Sequence, residues 1–146
     1  MEKQKIEGHL KKILEDTGIF LVEVSIDRSN RILVYIDKED GVSIEDCVQV
    51  SRALEGRLDR DQEDFELEVS SPGLDAPLKV QGQYRKNIGK MVAVQCRDGS
   101  RYTGILEGMG EDSIQLKLKV GGTGSGTEVM NLAMKDILRT NLVIQF

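Results

Sequence analysis

The chain has 146 residues, 39% of them hydrophobic and 31% charged, with a net charge of −5. That is the balance of a folded globular protein with room for one ordinary domain or two small ones, and it excludes a disordered chain. The opening residues, MEKQKIEGHLKKILEDTGIF, mix charges with periodic apolar positions, so neither a secretory signal nor a membrane span is expected, and a cytoplasmic location with no membrane contact follows. Cys47 and Cys96 lie far apart, with no CxxC and one histidine in the chain, and are expected as buried free thiols.

Division after Val80 separates two charge regimes. Residues 1–80 hold 11 Lys and Arg against 19 Asp and Glu, a balance of −8, and residues 81–146 hold 9 against 6, a balance of +3. The acidic part suits a basic partner and the basic part suits phosphate, although both could be no more than solvated surfaces.

Ile6, Leu10, Ile13 and Leu14 share one stripe of a predicted helix that Thr17-Gly18 stops. Phe20, Val22, Val24 and Ile26 then alternate with Leu21, Glu23, Ser25 and Asp27. After RSN, Ile32, Val34 and Ile36 alternate with Leu33, Tyr35 and Asp37, which predicts an antiparallel hairpin. Ser43 is placed to cap a second helix, with Asp46 as its capping-box carboxylate. Ile44, Cys47, Val48, Ser51, Leu54 and Leu58 form that helix's predicted inner stripe, and Asp59 to Asp64 an acidic end. A short strand follows, with Phe65, Leu67 and Val69 inward. Helix, hairpin, helix and strand make an αββαβ two-layer α+β domain over residues 1–80.

Five short strand-like runs fill the rest: KMVAVQC, SRYTGILEGMG, DSIQLKLKV, TEVMNLA and DILRTNLV. Turn signals separate them at Arg97-Asp98-Gly99, at Gly110-Glu111-Asp112, in GGTGSGT and at Met134-Lys135. So many short strands imply a small barrel over residues 81–146, with Gly104, Gly108 and Gly110 permitting sharp bends.

No residue set assembles chemistry. GGTGSGT runs into a strand-like segment without a lysine, which is not the context of a phosphate loop, and reads as a hairpin loop. Ser70 and Ser71 lack an activating base, His9 being the lone histidine, so no catalytic residue is expected and the chain is read as not an enzyme. The acidic run reads as a solvated helix end, not a metal site, and no cofactor is expected. The stretch EVSSPGLDAPL is explained by backbone demands. Pro72-Gly73 fits the centre of a type II turn, with Ser70, Ser71 and Asp75 hydrogen-bonding turn N–H groups, and the stretch reads as a stiff joint between the two domains.

This stretch, preceded by the αββαβ pattern and followed by YRKNIGKMVAV and short strands, resembles the bacterial ribosome maturation factor RimP family over essentially the full chain. Ser70, Ser71, Pro72, Gly73, Leu74 and Asp75 carry the signature. The family's usual arginine is replaced here by Ala76, which removes any contact that side chain makes and leaves the turn alone. The resemblance implies an SH3-like, Sm-related barrel in the second half. It also implies a monomeric, non-catalytic factor that binds the immature small (30S) ribosomal subunit and aids rRNA folding and ribosomal protein loading. On that reading, phosphate contacts fall to Arg85, Lys86, Lys90, Arg97, Arg101, Lys117, Lys119 and Arg139. Three tyrosines and three phenylalanines are too few for extensive base stacking, which favours readout of RNA shape. The alternative is a general Sm-like RNA chaperone without ribosome preference.

Overall fold

The computed structural model describes the backbone of residues 1–120 and 126–143, and the side chains of these residues except 119, 120, 126 and 127. The chain is mixed α+β and splits into two compact units, Met1–Pro72 and Gly73–Phe146. The division falls earlier than the charge boundary at Val80, because Leu78 is already part of the second unit. Its N–H donates to the Thr140 carbonyl at 2.8 Å, and its side chain is buried in that unit's core.

In the first unit, helix α1 (Lys3–Leu14) buries Ile6, Leu10 and Leu14 along the expected stripe. It ends where the Thr17 hydroxyl donates to the Leu14 carbonyl, and Asp16 and Gly18 take left-handed backbone angles. Strands β1 (Ile19–Ile26) and β2 (Arg31–Lys38) pair antiparallel. The Asp27 carboxylate closes their turn by accepting from the N–H groups of Ser29 and Arg31.

The alternation expected along β1 breaks at a β-bulge. Register passes from Leu21 opposite Ile36 to Glu23 opposite Tyr35, leaving Val22 unmatched. One extra residue reverses which side chains face inward. Ile19 and Leu21 pack on the core before the bulge and Val24 and Ile26 after it, while Phe20 and Val22 are absent from that core.

Helix α2 (Ile44–Glu55) starts with the predicted capping box: Ser43 Oγ accepts from the Asp46 N–H at 3.0 Å, and the Asp46 carboxylate accepts from the Ser43 N–H at 2.9 Å. The helix carries the chain to β3 (Glu66–Ser70), which lies parallel to β2 at the sheet edge, in the order β1-β2-β3. A parallel neighbour requires such a crossover. The predicted inner stripe of α2 is corrected. Val50 and Leu54 are buried and Cys47 and Leu58 partly so, but Ile44 is 87% exposed and Val48 is half-buried. Cys47 is therefore only half-buried, whereas Cys96 is buried as expected. After α2 the acidic run is organised by Arg60. Its guanidinium lies 4.0 Å from the centroid of the Phe65 ring, donates to the Phe65 carbonyl and pairs with Glu55 and Asp64.

The second unit contains β4 (Met91–Cys96), β5 (Arg101–Met109), β6 (Ser113–Val120), β7 (Gly126–Ala133) and β8 (Ile137–Leu142), with a 3-10 turn at Met134–Asp136. They form one five-stranded sheet in the order β7-β6-β5-β4-β8. Val92, Val94, Leu106, Ile114 and Leu116 form its buried centre. Gly104 leaves no room for a side chain against β6: an added Cβ would sit 2.6 Å from the Lys117 carbonyl oxygen. A bulge between Leu106 and Gly108 bends β5. Of the GGTGSGT segment, read as a hairpin loop, Gly126 and Thr127 already belong to β7, and residues 121–125 lie outside the described residues.

The sequence reading missed one element, α3 (Gln81–Lys86). It is too short for a helical period to show. It is held by polar contacts instead: Gln83 Oε1 accepts from the N–H groups of Lys79 (2.6 Å) and Val80 (3.1 Å), Asn87 Nδ2 donates to the Gln83 carbonyl (2.7 Å), and Tyr84 Oη donates to Thr140 Oγ1 (2.8 Å).

Candidate nucleic-acid interface

Strand alternation places Met91, Ala93 and Gln95 of β4 on the face opposite the buried Val92, Val94 and Cys96. Cross-strand register then decides their neighbours. Gln95 is paired with Arg101 on β5 and with Arg139 on β8, and Ala93 with Thr103 and Asn141. Two guanidiniums thus stand on strands about 10 Å apart across one glutamine. The adjacent row is small and polar. The resulting depression, about 440 Å³, is lined by both rows. Arg101 and Arg139 are exposed, with no hydrogen-bond or ion-pair partner among the described residues.

Neighbouring turns add charge at this end of the sheet. Arg97, just beyond β4, is exposed and donates through Nε to the Lys135 carbonyl at 3.0 Å, which ties the β4–β5 hairpin to the 3-10 turn. Asp98 in that hairpin accepts from the hydroxyl and the N–H of Ser100. These bonds hold its carboxyl below the ordinary carboxylate range, so it stays charged and moderates the local potential.

The other candidate cations are elsewhere. Arg85 and Lys86 occupy the last turn of α3, where Lys86 is half-buried and engaged. Lys90 precedes the opposite end of β4. Lys117 on β6 pairs with Glu107 at 3.7 Å. Lys119 lies on the same strand, with its side chain outside the described residues. Register thus brings together Arg101 and Arg139, with Arg97 nearby, and adds Gln95, Thr103, Asn141 and Lys135, which sequence reasoning did not select. Alternation could have assigned the face of Gln95 and Thr103, but nothing in the sequence states which strand lies beside which.

The latter part of EVSSPGLDAPL, from Gly73 on, belongs to the second unit. The expected type II turn centred on Pro72-Gly73 is corrected: the Ala76 N–H donates to the Gly73 carbonyl at 3.0 Å, so Leu74 and Asp75 are the central residues, and Gly73 does not take a positive φ. The turn sits there because the segment after it is pinned to β8. Asn141 Nδ2 donates to the Asp75 carbonyl at 3.1 Å, and the Leu78 N–H to Thr140. Ser70 does not cap the turn either, since its hydroxyl donates to the Ser71 carbonyl at 2.9 Å. Ser71 and Asp75 are exposed, Pro72 and Ala76 half-buried, and Leu74 is 73% exposed.

Among the described residues no cluster of His, Cys, Asp and Glu is arranged to hold a metal ion, and no helix is long and apolar enough to cross a membrane. Fold and charge together define a two-unit α+β protein, with an acidic helix-covered sheet and a five-stranded sheet bearing two unpaired arginines on one face. Residues 9–75 match the RimP N-terminal domain. The chain is 38% identical over 120 residues to the ribosome maturation factor RimP of Christiangramia forsetii, covering 82% of this chain and 78% of that protein. It is 40% identical over 118 residues to the protein of the same name from Porphyromonas gingivalis, covering 81% and 78%. The chain belongs to the RimP family.

Proposed function

We propose that this chain is a non-catalytic, monomeric ribosome maturation factor of the cytoplasm that binds the immature small ribosomal subunit and assists rRNA folding and ribosomal protein loading. The names of its relatives support the ribosomal role. The Arg139–Gln95–Arg101 row carries the RNA part of the reading: two unpaired guanidiniums spaced across a sheet can each release a counterion on meeting a phosphate. In this reading the five-stranded unit is an SH3-like barrel, and Arg85, Lys90 and the β6 lysines are peripheral to the contact. The residues from Ser70 to Asp75 form the joint between the acidic and the basic domain.

A factor that must bind and later leave is served by a modest charge and a steep salt dependence. Sedimentation with free small subunits, mature ribosomes and polysomes tests the proposal. Comigration with free small subunits alone is expected. Equal binding to all three, or binding to none, overturns it, and broad binding to unrelated single-stranded RNA would favour a general chaperone instead.

A further inference from the structure

The first unit has a second feature, an open groove of about 620 Å³ between α2 and β3. Its walls are the part of the α2 stripe that the core leaves uncovered, Ile44, Val48 and Ser51, together with Leu67 and Val69, with Arg52 and Glu68 adding one charge of each sign. Beyond it runs the free edge of the sheet. The Glu66 N–H donates to the Asn30 carbonyl, toward β2, and strand alternation then turns the backbone N–H and C=O groups of Leu67 and Val69 outward. No strand pairs with that edge among the described residues.

We propose that this groove takes an extended, basic polypeptide segment, which adds as a fourth strand along the outer edge of β3. Strand addition satisfies the outward groups of Leu67 and Val69, and the pleat then fixes the side-chain pattern required. On one face the added strand meets Leu67, Val69 and the apolar wall of α2. On the other it meets Glu66 and Glu68, of which Glu68 has only an exposed 3.5 Å pair with Arg31. The segment therefore alternates apolar and basic residues. Residues 1–72 hold 10 Lys and Arg against 18 Asp and Glu, so the surrounding field favours a cation as well. The opposite edge is less suitable. The bulge at Val22 interrupts β1, so no regular edge is offered there.

The proposal gives the acidic unit a partner class and rests on the assembly reading only for the source of such segments. Its test uses the full chain and a short synthetic peptide alternating lysine and valine. Fluorescence anisotropy should show binding that falls at least about tenfold when alternate peptide amides are N-methylated or when lysine is replaced by glutamate. Amide resonances of Leu67, Val69 and Val48 should shift in the labelled chain. Glu66→Lys and Ile44→Ser, both at exposed positions, should each weaken binding without unfolding the chain. Absence of binding, insensitivity to N-methylation, or shifts confined to other surfaces overturns the proposal. Peptide binding by a chain that ignores ribosomal subunits would sink the assembly reading alone, and subunit binding without peptide binding would sink this one alone.

Discussion

Tyr84 Oη donates to Thr140 Oγ1 at 2.8 Å, joining α3 to β8 inside the core of the second unit. Thr140 is fully buried and Tyr84 nearly so, so removing either hydroxyl leaves its partner without water to replace it. Tyr84→Phe and Thr140→Val should each cost about 1–2 kcal/mol in urea denaturation, and the double variant should cost less than their sum. Burial also raises the Tyr84 phenol above its ordinary value. The neutral phenol is favoured in the fold, so this stability is present below about pH 10 and is lost as pH rises from there toward the higher folded value. Alkaline denaturation should steepen in that range for the parent and not for Tyr84→Phe.

Arg101→Gln and Arg139→Gln should each weaken binding to small-subunit rRNA fragments and lower the salt slope by about 1, since each removes one phosphate neutralisation. Lys117→Gln should change the slope less, because that ammonium is already paired with Glu107. Anisotropy titrations between low and moderate salt distinguish these outcomes, and equal effects from all three would remove the special status of the Gln95 row.

Gly104 and Gly108 make different demands on β5. A Cβ at Gly104 meets the Lys117 carbonyl at 2.6 Å, a backbone atom that cannot swing aside, whereas at Gly108 it meets the end of the Gln115 side chain at 2.8 Å. Gly104→Ala should cost about 1–3 kcal/mol in chemical denaturation as β5 and β6 are forced apart. Gly108→Ala should cost clearly less, because Gln115 can change rotamer.

The Ser43 N–H and then its hydroxyl hold the Asp46 carboxyl below its ordinary value. A depressed folded value means that the cap contributes above the unfolded carboxyl value and is lost as pH falls through the lower folded one. Acid should loosen the first turn of α2 ahead of the rest of the helix, seen as earlier amide-exchange loss at Asp46 and Cys47. In Asp46→Asn that acid-dependent step should be absent.

The α1 stripe, the Ser43 capping box, the inward set Phe65, Leu67 and Val69 and all five strands of the second unit were legible because each is a local pattern within one element. Three misreadings share one cause. The bulge at Val22, the roll of α2 that leaves Ile44 in solvent and the shift of the turn from Pro72-Gly73 to Leu74-Asp75 each depend on a partner distant in the chain. Those partners are β2 for the bulge, the sheet for the helix, and Asn141 and Thr140 for the turn. Helix α3 was hidden for a related reason, since its stability comes from Gln83, Asn87 and Thr140 and not from an apolar period.

Two oppositely charged halves, every element type but α3 and the family signature are legible in the chain, because charge and periodicity are local properties. Which cations become neighbours is set by the tertiary structure. Arg101 and Arg139 are far apart in sequence and become neighbours only because β5 and β8 both pair with β4 in the one register that sets Gln95 between them. That register is chosen by burying Val92 and Val94 on the other face, since a one-residue slip would turn those side chains to solvent.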